Sequence, residues 1–228
     1  MVYWVWDNCR RVADFSDIII ATDDERIAIA VQEFGAKAIL TPSDCSSPTE
    51  RTYIVSRSVN ADFYVMVNGD EPLVRPETIS AAIPEKLDPN EVAVTNLMYE
   101  VTNPIDVVDA TNIKVVTDDE GFALYISRSP IPYPKGSSDF IYHKFVGITG
   151  FTKPALEFYH SCNKGILEKA EDVDELRFVE HGKKVKFINV TCDSLSVDTP
   201  KDVETVEKKM NKASPKCKDF EPDLATRG

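Results

Sequence analysis

The 228-residue sequence predicts an α/β protein: a mostly parallel sheet with helices on both faces, carrying a small β-rich excursion. Two observations carry this. Over residues 17–87, short β-branched runs alternate with segments whose apolar residues recur at helical spacing, the order that a parallel sheet needs. From about residue 92 alternating runs and a proline-rich loop take over, which marks an excursion over about 95–145. The domain is then expected over residues 1–210, and 211–228 read as a mobile tail of little periodicity.

In order, "DIIIATDD" (17–24) reads as a strand closing in a polar turn, and "DERIAIAVQEFGA" (24–36) as a helix stopped by Gly35. "KAILTP" (37–42) is a second strand, ended by proline. "SSPTERTYIVSRSV" (46–59) is a helix with Pro48 near its first turn, "FYVMVNGD" (63–70) a third strand and "RPETISAAIPEKL" (75–87) a third helix. Then come "EVAVTNLMYEV" (91–101), two strands around a turn in 112–128, a loop over 129–140 and a strand over 142–152. A charged helix (166–182), a last strand (183–190) and a terminal helix (198–210) with Asp198 or Thr199 at its N-cap complete the set.

Composition narrows the function. A net charge of −12 argues against a nucleic-acid surface, which needs clustered Lys and Arg. No apolar run approaches the roughly 18–20 residues that span a bilayer, and no signal peptide opens the chain, so a cytoplasmic protein is expected. Cys9, Cys45, Cys162, Cys192 and Cys217 are an odd, scattered set without C-x-x-C, which indicates reduced thiols and no zinc site.

The third strand ends in "NGDEP" (68–72), with two carboxylates where an open parallel sheet binds ligands. Carboxylates there suit a divalent metal held against phosphates, since Mg²⁺ takes hard oxygen ligands. Capping of the next turn is the plainer reading, and an isolated Gly-Asp-Glu would not outweigh it.

Several ordered blocks do. "IIIATDDERIAIAV", "SSPTER", "VNGDEPLV", "IKVVTDDEGFALYISRSPIPY", "VGITGF", "LEKAEDVDELR" and "VDTPKDVETVE" together resemble the CMP-sugar cytidylyltransferases, most closely the CMP-Kdo synthetases. The resemblance covers nearly everything to about Met210. It implies a nucleotide-diphospho-sugar transferase, Rossmann-like fold and a homodimer formed through the excursion. It also implies transfer of CMP from CTP to the anomeric hydroxyl of 3-deoxy-manno-octulosonate, for lipopolysaccharide or surface glycan. By resemblance, Asp70 and Asp198 hold Mg²⁺; Ser46, Thr49, Arg51 and Asn68 meet the nucleotide; and Lys114, Ser127, Arg128 and Glu175 line the sugar side, with Arg128 counted among the catalytic groups. For Lys114 an exposed strand position is an equal reading, and for Arg177 a structural ion pair.

The chain also departs from the family. Pro48 replaces a glycine, and Asn68, Phe145, Thr149 and Glu175 differ from the CMP-Kdo pattern, which leaves open a different sugar acid, sialic-acid-like ones included. The family's opening strand and loop, I-P-A-R-x-x-S-x-R-[LF]-P-x-K-P, have no counterpart ahead of "MVYWVWDNCRR". A late start or a truncation is therefore expected, with weak activity for the chain as written or a non-catalytic dimeric remnant.

Overall fold

The computed structural model describes residues 1–137, 139–191, 196–197 and 199–213. Helix α1 (Val2–Cys9) precedes β1 (Ile19–Thr22), α2 (Glu25–Glu33), β2 (Lys37–Leu40), α3 (Pro48–Ser56), β3 (Tyr64–Val67) and α4 (Pro76–Ser80). There follow β4 (Val94–Val101), α5 (Pro104–Val108), β5 (Lys114–Thr117), β6 (Ala123–Ser127), β7 (Tyr142–Phe151), α6 (Lys153–Ser161), α7 (Ile166–Glu171), α8 (Glu175–Glu180), β8 (Val185–Asn189) and α9 (Pro200–Ala213).

Local chemistry sets the boundaries. Asp24 caps α2 by accepting from the Arg26 amide, and Gly35, at φ +80°, takes the left-handed turn that ends it. Ser47 caps α3, and Pro48 fills the one position where its missing N–H costs nothing. At the start of α9, Thr199 N and Oγ1 both donate to Asp202, which leaves Thr199 as the cap; Asp198, the other N-cap candidate, lies outside the described residues. Two expected helices are shorter. The helix at 75–87 stops at Ser80, because Pro84 disfavours helical geometry just before it. The one at 166–182 is two helices, broken where Asp172 adopts φ 52°. Helices α5 and α6 were not anticipated, although Asn103-Pro104 and Thr152-Lys153-Pro154 are cap-and-proline starts.

The α/β class holds, but the larger sheet is mixed rather than mostly parallel. Strand β7 comes straight from the β5–β6 hairpin and enters from the opposite end, so it pairs antiparallel with β3, β4 and β5. Its edge facing β3 and β5 is shared: Tyr64 to Val67 of β3 pair with its C-terminal half, Lys114 and Val115 of β5 with its start. Because β3 and β4 both oppose β7, one on each of its edges, they point the same way, and β8 lies parallel to β4. The carboxyl ends of β3, β4 and β8 therefore emerge on one side. Strands β1 and β2 pair in parallel as a separate sheet, and among the described residues no strand joins it to β3; α3 packs on both β1 and β3.

Each face of the larger sheet has its own core. Tyr64, Val94, Phe151, Val185 and Phe187 pack under α6 and α8 with Leu156, Tyr159, Leu176 and Phe178. Leu97, Val146 and Ile148 face the other way, onto Val5 and Cys9 of α1 and Ile79 of α4. A bulge between Asn96 and Leu97 shifts the register of β4 against β7.

Candidate active site

The turn after β3 answers the question its carboxylates raise. Asn68 N donates to Gly147 O at 3.1 Å, and Gly147 N donates back to Glu71 Oε1 at 3.2 Å, so residues 68–71 are buckled onto β7. Glu71 thus serves the turn. The fit is tight: a Cβ on Gly147 would lie 2.7 Å from Asn68 Nδ2 and 2.9 Å from Glu71 Oε1. Gly147→Ala is expected to cost about 1–3 kcal/mol, because both contacts are side-chain ends that can swing aside, but Glu71 then gives up its bond from Gly147 N. Turnover should fall by more than that, since the swing unseats Asn68; denaturation curves beside pyrophosphate release would separate the two.

Asp70 is half-buried in the same turn, and its carbonyl accepts from Val197 N at 2.9 Å. The segment after β8 is thereby fastened to the turn after β3 one residue before Asp198, which itself lies outside the described residues. Asp70 offers the hard oxygen that Mg²⁺ prefers, so its chemistry fits the metal expected there.

Ser46, Thr49 and Arg51 sit at the start of α3. Ser46 is exposed and donates to Glu50 Oε2 at 2.6 Å, the bond that chiefly holds the Glu50 carboxyl below its ordinary range. Arg51 spans the carboxyl ends of β1 and β2, bonded to Thr41 Oγ1 and 3.3 Å from Asp23 Oδ1. Thr49 is fully buried, and its hydroxyl has no hydrogen-bond partner among the described residues.

The residues expected on the sugar side form a second group. Lys114 is buried, not exposed, and its ammonium closes the loop before β5 by donating to the carbonyls of Asp109, at 2.8 Å, and Asn112. Desolvation lowers its pKa from the ordinary lysine value. Ser127 and Arg128 converge on Glu171, a residue that sequence reasoning missed because nothing in its local pattern distinguishes it. Ser127 Oγ donates to Glu171 Oε1 at 2.6 Å and Arg128 N to Oε2 at 2.9 Å. The Arg128 guanidinium donates to the carbonyls of Glu171, Ala110 and Asp172 at 2.6, 3.2 and 3.2 Å. Three of its five N–H groups are thereby used among the described residues.

Glu175 lies apart from both groups, in the core, at 3% exposure. Its Oε1 accepts from Thr149 Oγ1 at 2.9 Å and Asn96 Nδ2 at 3.1 Å, next to the bulge in β4. Burial, with Asp174 beside it, pushes its carboxyl up from 4.5 to about 7. Between those values the unfolded chain loses the proton while the folded one keeps it, so stability falls as pH rises through this window and stays low above it. Glu175→Gln keeps the accepting oxygen and removes the charge. It should match the parent at pH 4 and exceed it at pH 8 by on the order of 1–2 kcal/mol in urea unfolding, part of the roughly 3 kcal/mol that the shift represents. Arg177 is the structural partner: it grips buried Glu168 at 2.6 Å through both Nε and Nη2.

A mixed α/β sheet with an acidic turn at the carboxyl end of β3, and an arginine held across the ends of β1 and β2, has its charged groups where α/β proteins bind ligands, outside the carboxyl ends of strands. Comparison with known proteins narrows this. The family described as Cytidylyltransferase matches residues 1–185, and the chain belongs to that family. A "3-deoxy-manno-octulosonate cytidylyltransferase" of Solibacter usitatus is 36% identical over 209 residues, 91% of this chain and 83% of the relative. An "8-amino-3,8-dideoxy-manno-octulosonate cytidylyltransferase" of a Shewanella strain is 32% identical over 217 residues, 92% of this chain and 87% of the relative. Among solved structures, a CMP:2-keto-3-deoxy-manno-octonic acid synthetase complexed with CTP superposes with a TM-score of 0.87 at 33% identity, covering 93% of this chain and 88% of its own. The sequence resemblance to CMP-Kdo synthetases is thus borne out.

Proposed function

We propose that this chain transfers CMP from CTP to the anomeric hydroxyl of 3-deoxy-manno-octulosonate and releases pyrophosphate, supplying an activated sugar acid for surface glycan in the cytoplasm. The observation that carries the reading is the turn of residues 68–71, which holds Asp70 at the carboxyl end of β3 and is docked by Val197. Family membership supplies the reaction class. In the reaction the sugar oxygen forms a bond to the α-phosphorus as the bond from that phosphorus to the bridging oxygen breaks, and the hydroxyl proton leaves to solvent.

Asp70 and Asp198 would hold Mg²⁺, whose charge offsets the repulsion between the anionic sugar and the triphosphate. Ser46, Arg51 and Asn68 face the nucleotide, with Thr49 beneath them. Arg128 turns its guanidinium to the sugar carboxylate, a group that it fits bidentately. Lys114 and Ser127 hold that arginine's surroundings in place, and Glu175 acts on the site only through Asn96 and Thr149. Ile105, Val108 and Tyr133, each at least 70% exposed on the excursion, support a homodimer built there.

The test is pyrophosphate release from CTP with Mg²⁺ and either 3-deoxy-manno-octulosonate or its 8-amino-8-deoxy counterpart. It is run on this chain and on a version with a family-type strand and phosphate loop ahead of Met1. Release only with the amino sugar would shift the substrate; release from neither protein with either sugar would overturn the reading.

A further inference from the structure

Tyr159 belongs to none of the motifs above, yet its fully buried hydroxyl lies against the cap of α3. Glu50 N donates to Ser47 Oγ at 3.2 Å, Ser47 Oγ lies 2.9 Å from Tyr159 Oη, and Tyr159 donates to Glu168 Oε1 at 3.4 Å. Because the Arg177-paired carboxylate of Glu168 can only accept, the tyrosine proton goes to it and the Ser47 hydroxyl must donate to the tyrosine oxygen. The relay therefore has one direction, from the cap of α3 down to the buried ion pair of Glu168 and Arg177. The tyrosine ring lies on the Arg177 guanidinium, 3.7 Å from centroid to carbon, so the phenol cannot drift. Burial pushes its pKa well above the ordinary tyrosine range, which keeps it a donor.

A second strut runs beside the first, as Thr49 N donates to Asp174 Oδ2 at 3.2 Å. Pro48 has no N–H, and Arg51 N donates to Ser47 O. The first-turn amides of α3 are thus all engaged within the protein, so this helix start can present only side chains to a ligand, Ser46 and Arg51. Where those side chains stand depends on where the turn is pinned.

We infer that Tyr159 is a positioning residue for the nucleotide: its hydroxyl pins the first turn of α3 to the ion pair of Glu168 and Arg177 and so sets Ser46 and Arg51 for CTP. This rests on the nucleotide role given to residues 46–51 above. Tyr159→Phe tests it, because the ring, its contact with Arg177 and its packing on Phe178 all remain.

The variant should speed amide hydrogen exchange at Thr49, Glu50 and Arg51 at least ~10-fold, the loss expected for a buried polar pairing. It should weaken CTP binding, measured calorimetrically with Mg²⁺, about 5- to 10-fold and leave the KM for the sugar acid unchanged. Ser47→Ala should weaken CTP binding similarly, and the double variant no further, since both break one relay. Unchanged exchange would overturn the pinning. Faster exchange with unchanged CTP affinity, well below the unfolding temperature, would overturn the positioning role. A parent chain that binds no CTP would sink the proposed function instead, and exchange alone would then judge the pin.

Discussion

Asp70→Asn is expected to cut CMP transfer at least ~100-fold while leaving the thermal midpoint nearly unchanged, the scale of loss when transition-state charge stabilisation is removed. The amide keeps the size and planarity of the carboxylate, and the backbone bonds that hold the turn, Val197 N to Asp70 O and Asn68 N to Gly147 O, use no side-chain atom of residue 70. What disappears is a formal charge and a good Mg²⁺ ligand. Raising Mg²⁺ should recover part of the loss if Asp70 binds the metal. Full turnover by the variant would remove Asp70 from the chemistry.

Arg177→Met is expected to produce the largest loss of stability in the chain, about 3–5 kcal/mol, because it strands a buried carboxylate. Glu168 is 1% exposed at its side chain, and without the guanidinium its nearest cation is Lys164 at 3.7 Å. The same change removes the donors to the carbonyls of Tyr159 and Cys162, at 2.9 and 3.3 Å. For a domain of this length the midpoint should drop by on the order of 10 °C. Pairing it with Glu168→Leu should return much of the loss, since no unpaired charge is then buried; a double variant as unstable as the single one would contradict this account.

The order of strands and helices through β4 was legible because each element has its own periodicity and its own stop signal, as Asp24 and Gly35 around α2 illustrate. The direction of β7 was not, since an alternating strand reads the same whichever way it enters a sheet. The site divides similarly. Asp70 stood out only through the ordered blocks around it, since a lone carboxylate at a strand end reads more simply as a turn cap, the use Glu71 has here. Lys114 and Glu175 could not be placed, since burial depends on which loops and strands close over a side chain, and both are sealed by residues distant in the sequence or held in an irregular loop. Glu171 and Tyr159 gave no local signal at all; their partners lie 44 and 112 positions away.

The separation of the β1 and β2 pair from the larger sheet also bears on how copies of this protein behave together. Among the described residues, β1 and β3 each keep one edge without a strand partner, and both are apolar runs, Ile19–Thr22 and Tyr64–Val67. Such edges are templates for strands of other molecules. Here the guard against that is long-range: at a net charge of −12, neighbouring copies repel one another before their edges can meet. Salt shortens the reach of that repulsion to about 8 Å at physiological ionic strength and about 3 Å at 1 M, so the colloidal stability of the protein is tied to the ionic strength around it.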